Sequence, residues 1–368
     1  MADHDPAGAR RPHHAPRDLA ATPLNVYWET TQACALACRH CRAGAIPERH
    51  PHELDPEESL RFIRQLADFG EPLPQLVLTG GDPLLRADLL ALVDAARSLG
   101  IPVAITPAAT PLLTRGRLAE LAAHGIAALG LSLDGSTASR HDGIRQVAGC
   151  FDITLRAMRW AGELGLPLQV NTLVCAETAD DLPAVFALLR DQPVTRWSLF
   201  FLIAVGRGRV LEPLCPAAGE ALMHWIYDVA ETAPFAVGTT EAPSYRRVAL
   251  SRMQAAGLSP EAIRRTPLAR GFGIRDGNGI LFVSNTGDIC PAGFLPLPAG
   301  NVRTDHVVRV YREAPLFRAL RAPAGFAGKC GCCEYQLVCG GSRARAYAAT
   351  GNPLGSDPFC PYQPLVPA

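Results

Sequence analysis

Between residues 24 and 204, short apolar runs alternate six times with stretches of helical character. The runs are Leu24–Thr31, Leu76–Thr79, Val103–Thr106, Ala128–Leu133, Leu168–Val174 and Trp197–Ala204. Between them, Asp55–Phe69, with Pro56 at its first position, reads as an amphipathic helix. Further helices are expected over Ala87–Leu99, stopped by Gly100, and over Arg115–His124, Phe151–Leu164 and Asp181–Arg190. Strands that alternate with helices pair in parallel, with the helices outside. Six units rather than eight predict an α/β chain folded as a partial (βα)6 TIM-like barrel. Its chemistry belongs at the carboxyl ends of the strands.

After residue 205 the rhythm changes. Residues 206–275 read as a linker with a helix over Gly219–Ala230, and 276–368 as a small cysteine-rich domain. That domain opens with a hairpin, Gly279–Ser284 and Asp288–Pro291, turned at Asn285-Thr286-Gly287. The barrel is assigned to 23–205, and residues 1–22 to a disordered leader in which His4, His13 and His14 are incidental. The leader has no apolar stretch of a secretory signal, and no run of about 18 apolar residues offers a membrane span. A cytoplasmic protein is expected, in which thiols stay reduced, so the twelve cysteines point to metal rather than disulfides. Lys+Arg and Asp+Glu are both 35, which gives no basis for a nucleic-acid or anionic-membrane surface.

Three cysteines follow the first strand: Cys34, Cys38 and Cys41, in Cys-Ala-Leu-Ala-Cys-Arg-His-Cys. A structural zinc site usually draws four ligands from two separated pairs. Three thiolates within eight residues suit an iron–sulfur cubane instead, and leave one iron without a protein ligand. Arg39, His40 and Arg42 interrupt any core pattern here. Thr79-Gly80-Gly81-Asp82-Pro83-Leu84 then ends the second strand. Its glycines allow close backbone approach to a ligand, and Asp-Pro gives a fixed turn. By itself such a segment is an ordinary turn; at the mouth of the strand beside the triplet it gains meaning.

Together the triplet and Gly80-Gly81-Asp82-Pro83 resemble the radical S-adenosylmethionine (SAM) superfamily. The resemblance covers roughly residues 24–205 and implies that Cys34, Cys38 and Cys41 hold a SAM-binding 4Fe–4S cluster. It further implies that Gly80, Gly81, Asp82 and Pro83 contact SAM. Asp82 stands where glutamate is commoner, and His40 where an aromatic residue is more frequent. Other strand ends follow the family pattern more loosely. Thr106, in Ile105-Thr106-Pro107, Ser132, in Leu131-Ser132-Leu133-Asp134-Gly135, and Asn171 are candidate SAM contacts. For Ser132 and Asn171, a polar group satisfied within a barrel layer is an equal alternative. His141-Asp142-x-x-Arg145 resembles the ribose and carboxylate region, with Arg145 read as a structural ion pair.

The carboxy-terminal Cys330-Gly-Cys332-Cys333, Cys339 and Cys360 resemble the SPASM/Twitch extension, which carries auxiliary 4Fe–4S clusters. Cys330, Cys333, Cys339 and Cys360 form the candidate set for a second cluster. Cys332 is read as a free thiol that can substitute, and Cys290 lies near where longer relatives supply another ligand. A zinc ribbon is the alternative. Cys150, Cys175 and Cys215 fit no cluster spacing.

The implied activity is reductive cleavage of SAM to a 5′-deoxyadenosyl radical that abstracts hydrogen from substrate. The segments at 293–303, 328–335 and 338–351 are similar to members of the alternative heme pathway: heme b synthases and d-type heme maturases. That resemblance implies a small-molecule tetrapyrrole substrate whose side chains are oxidatively decarboxylated, with a reductase and flavodoxin or a ferredoxin as electron donor. Arg343 and Arg345 are candidates for meeting propionates, or for bracing the cluster loop. Two other readings stand beside it. One is a maturase of a ribosomally made precursor peptide; the other is a non-catalytic iron–sulfur electron carrier.

Overall fold

The computed structural model describes residues 17–365. His4, His13, His14 and the first sixteen residues of the expected leader lie outside the described residues. Residues 17–22 form turns in which Arg17 donates to the carbonyl oxygens of Pro23 and Leu73, at 2.8 and 3.0 Å, and Thr22 is buried.

The six expected strands form β1 (Asn25–Thr31), β2 (Gln75–Gly80), β3 (Val103–Ile105), β4 (Ala128–Ser132), β5 (Leu168–Val174) and β6 (Arg196–Phe201). All pair in parallel in sequence order, as a succession of βα units demands. The helix Pro56–Ala67 shows how local sequence sets each crossover. Asp55 caps it in a capping box with Glu58, a device worth about 1 kcal/mol. Its face of Phe62, Ile63 and Leu66 is completely buried. Those side chains belong to one core with Val26, Trp28, Leu76, Leu78, Val103, Ile105, Leu129 and Leu131, the helix-facing residues of the strands. Each such apolar side chain contributes roughly 1.5–3 kcal/mol on burial. The opposite face carries Glu29, Thr79, Ala104, Gly130, Ser132, Asn171 and Ser198 among the larger Tyr27, Val77, Leu173 and Phe200.

The sheet extends past the six strands at both ends. Residues 206–275, expected as a linker, contain the helix Pro216–Thr232 and then β7 (Ala236–Thr240), which pairs parallel with β6. The cysteine-rich part supplies β8 (Arg275–Asp276), β9 (Gly279–Val283), β10 (Asp288–Cys290) and β11 (Gly300–Asn301). The expected hairpin is present, with β9 antiparallel to β10. Its first strand also docks parallel against β1, Tyr27 opposite Phe282, so the sheet runs from β11 through β1 to β7. The expected boundary at 205 thus falls within a continuous sheet. No local periodicity announces a strand that joins one some 250 residues earlier; only pairing geometry does. Among the described residues, no helix is long and apolar enough to cross a membrane.

Candidate active site and metal centres

The cysteine triplet occupies a loop beyond β1 that closes on itself. Cys34 N–H donates to the Ile46 carbonyl at 2.8 Å, and Ile46 N–H to that of Gln32 at 3.1 Å. Cys34 and Cys38 are buried and Cys41 is half-buried. Each sulfur accepts an N–H: Cys34 from Leu36 at 3.3 Å, Cys41 from Ala45 at 3.4 Å, and Cys38 from the Arg145 guanidinium at 3.7 Å. Such donors stabilise charge on sulfur and suit metal-bound thiolates. In the free thiol state, burial pushes Cys34 up to about 11, against the Leu36 N–H. The three thiols therefore fit a cluster-ligand set.

Gly80-Gly81-Asp82-Pro83 is pressed against that loop. A Cβ on Gly80, whose φ is +132°, would lie 2.4 Å from the Thr31 carbonyl oxygen, and one on Gly81 would lie 2.1 Å from that of Ala33. Gly81 N–H and Asp82 N–H donate to those same oxygens at 2.7 Å. The close approach expected toward a ligand is thus made first to the protein's own backbone, and it locks the cysteine loop to β2. The Asp82 side chain is fully buried. It accepts from Leu84 N–H (3.1 Å), Ala108 N–H (3.3 Å) and the Thr110 hydroxyl (3.1 Å). Burial holds its carboxyl above the usual range despite these donors. Its carboxylate is committed to tying β2 to the segment after β3. Pro83 opens the short 3-10 turn Pro83–Leu85.

The three looser candidates lie on the sheet face away from the helices. Thr106 is half-buried beside β4, where a Cβ on Gly130 would meet its Oγ1 at 2.8 Å. Ser132, Asn171 and Ser198 stand in register across β4, β5 and β6. Asn171 Oδ1 accepts from Gln169 at 2.8 Å, and Asn171 and Ser132 are half-buried.

His141-Asp142-x-x-Arg145 lies on the helix Ala138–Arg145, which the sequence reading left unassigned. His141 Nδ1 accepts from Asp134 N–H at 3.0 Å. Asp142 accepts from Gly149 and Phe151 N–H at 2.7 and 2.8 Å, binding the start of the next helix. Arg145 pairs with Asp134 at 2.7 Å while reaching Cys38. Burial pulls His40 and His141 down to about 4, so both are neutral near pH 7.

A second group forms at the carboxy-terminal end. Cys330, Cys333, Cys339 and Cys360 line one pocket, flanked by Arg247 and Lys329. Gly341 N–H donates to the Cys339 sulfur and Asp357 N–H to that of Cys330, both at 3.4 Å. Burial pushes the Cys339 thiol up to about 12. Cys332 is absent from the lining and its sulfur lies 3.7 Å from the Lys329 carbonyl oxygen. Among the described residues, no three His, Cys, Asp or Glu side chains converge tightly enough for one metal ion.

Cys290 is placed apart, buried on β10 opposite Phe282. Its neighbours include Arg42, which pairs with Glu29 at 2.8 Å and stacks on Phe282 at 4.5 Å. Arg343 and Arg345 are buried with protein partners. Arg343 is completely buried and donates to the carbonyls of Gly341, Pro353 and Gly355; Arg345 pairs with Asp357 at 3.4 Å. Sequence reasoning missed the sulfur contact of Arg145, and also Arg207, which donates to the Cys38 and Ala45 carbonyls at 3.0 and 2.9 Å.

Comparison with known proteins agrees with this architecture. The family model of the radical SAM superfamily matches residues 28–189. An AdoMet-dependent heme synthase of Methanosarcina barkeri is 34% identical over 346 residues, covering 94% of this chain and 98% of the relative. Another AdoMet-dependent heme synthase, of Nitratidesulfovibrio vulgaris, is 34% identical over 364 residues, covering 97% and 98%. Among solved structures, Streptococcus suis SuiB bound to S-adenosylmethionine aligns with a TM-score of 0.72 at 18% identity, covering 93% of this chain and 78% of that one.

Proposed function

The chain belongs to the radical SAM superfamily, and on that premise we propose that it oxidatively decarboxylates propionate side chains of an iron-tetrapyrrole precursor to vinyl groups. It is a radical SAM enzyme, using SAM and a 4Fe–4S cluster. The observation that carries the substrate reading is the 34% identity to an AdoMet-dependent heme synthase over nearly the full length of both chains. When bound, the cluster and SAM supply a 5′-deoxyadenosyl radical able to take hydrogen from an unactivated carbon.

In this reading Cys34, Cys38 and Cys41 hold the SAM-binding cluster and leave one iron open for SAM. Main-chain groups of Gly80–Pro83 meet the methionyl end of SAM, and Thr106, Ser132 and Asn171 contact it across the strand ends. Cys330, Cys333, Cys339 and Cys360 hold an auxiliary 4Fe–4S cluster, whose full set of ligands favours electron transfer over substrate binding. The pocket of four thiols supports that assignment. Each propionate that becomes vinyl loses CO2, one proton and two electrons. The proton and one electron leave together as the abstracted hydrogen atom, and an auxiliary cluster held by the four thiols would take the second electron. A flavodoxin or ferredoxin is the proposed electron donor, and the cytoplasm the proposed location.

The test is an anaerobic incubation of reconstituted, reduced protein with SAM and iron-coproporphyrin, followed by mass spectrometry. Loss of about 46 mass units per propionate, CO2 plus two hydrogens, supports the reading. 5′-Deoxyadenosine release with unchanged porphyrin moves the assignment to another substrate, such as a precursor peptide. No 5′-deoxyadenosine at all points to an electron carrier.

A further inference from the structure

The helix Ala138–Arg145 sits directly behind the cysteine loop. Arg39 N–H donates to the Ile144 carbonyl at 2.9 Å, which fixes helix and loop to each other. The helix ends at Gln146 in the left-handed conformation (φ 60°), so Arg145 is its last residue. From there its guanidinium bridges two groups: one nitrogen meets the Asp134 carboxylate at 2.7 Å and the other the Cys38 sulfur at 3.7 Å. Asp134 is itself fixed, accepting from Leu173 N–H at 2.8 Å. The side chains of Arg145 and Asp134 are 12% and 1% exposed, so water screens little of this charge.

A simple buried ion pair needs no sulfur. Here the guanidinium lies between carboxylate and thiol, and its planar fork serves both, which an ammonium would not do as well. A second cation reaches the same loop from the 3-10 turn Gly206–Val210: Arg207, which donates to the Cys38 and Ala45 carbonyls. Arg145 Nε and one terminal nitrogen of Arg207 are buried without a protein hydrogen-bond partner. The shell around Cys38 therefore holds more donors and positive charge than its fold contacts consume.

We propose, resting on the assignment of a 4Fe–4S cluster to Cys34, Cys38 and Cys41, that Arg145 is a positioning residue that sets the reduction potential of that cluster through its N–H bond to the Cys38 sulfur. Reduction places additional negative charge on the cluster and its sulfurs. A nearby cation that donates to one sulfur stabilises the reduced form more than the oxidised form and raises the potential. Asp134 aims the guanidinium and partly offsets its charge.

The test is a redox titration of the reconstituted protein, following the EPR signal of the cluster that changes when SAM is added. Arg145→Gln is expected to lower the reduced-to-oxidised ratio at a fixed potential about tenfold, or about 59 mV for one electron. Arg145→Lys, which keeps the charge, should recover part of the shift. Because Arg145→Gln leaves Asp134 buried and unpaired, Asp134→Asn/Arg145→Gln repeats the measurement with no unpaired charge. A potential unchanged in Arg145→Gln and in the double variant, both at full iron content, overturns the inference. A wild-type protein with no SAM-sensitive signal instead overturns the assignment of the cluster itself.

Discussion

Gly81 and Ala33 are in such close contact that a Cβ on Gly81 would lie 2.1 Å from the Ala33 carbonyl oxygen. The obstacle is backbone on the loop that presents Cys34, so it cannot swing aside as a side-chain tip would. Gly81→Ala is therefore expected to displace the loop, with a cost at or above the roughly 1–3 kcal/mol of overpacked sites. Iron content and SAM-dependent 5′-deoxyadenosine formation should both fall severalfold. Gly143→Ala is the control: nothing lies within 4 Å of its Cβ position and it sits in a helix. It should leave iron content unchanged and the melting temperature equal or slightly higher.

Adjacent cysteines are expected to behave differently. Cys333 faces the pocket shared with Cys330, Cys339 and Cys360, whereas Cys332 does not. Cys333→Ser should remove the auxiliary cluster, taking the iron count from that of two 4Fe–4S clusters to that of one. Cys332→Ser should leave iron and EPR spectra as in the wild type. Equal iron loss in both variants would contradict this ligand set.

Much of this arrangement is legible in the sequence because it is local. The Cys34–Cys41 loop, the glycine pair ending β2 and the crossover helices all show in spacing and periodicity, and their observed bounds lie within a few residues of those expected. What was not legible depends on partners distant in the chain. The docking of β9 on β1, the addition of β7 and the reach of Arg145 to a sulfur 107 residues away follow from closure of the sheet. The glycine pair was recognised for its position, but its packing partner, the Ala33 carbonyl, appears only in three dimensions. From sequence, Arg343 and Arg345 are candidates for meeting propionates or, at least as well, for bracing the cluster loop, and their burial among protein partners favours bracing.

Glu241 gives the protein a pH dependence. It follows β7 with φ +58°, accepts from the Ser342 hydroxyl at 2.7 Å, and lies near Asp276 and Asp357. Burial, then the Asp276 carboxylate, pushes its carboxyl up to about 8. The folded state thus holds a proton that the unfolded chain releases near its ordinary value of 4.5. Its contribution to stability is fully present below that value and is lost as pH rises toward 8. Glu241→Gln keeps an acceptor for Ser342 and removes the titration. Thermal melts across pH 5 to 8.5 should show a flatter slope for the variant and a relative gain at the alkaline end; an identical slope would refute this.

Arg345 and Asp357 test bracing against substrate recognition. Their side chains are 11% and 1% exposed, and Arg345 also donates to the Glu241 carbonyl at 2.8 Å, joining the end of β7 to the carboxy-terminal helix Arg343–Thr350. Removing one member of a buried pair strands the other charge, at a cost of about 3–5 kcal/mol. Arg345→Met should therefore lower thermal stability markedly and weaken retention of iron at the four-cysteine pocket, because Asp357 N–H also donates to Cys330. In the fraction that keeps both clusters, KM for iron-coproporphyrin should match the wild type, since the guanidinium is consumed inside the protein. A raised KM with unchanged stability would instead place Arg345 against the substrate.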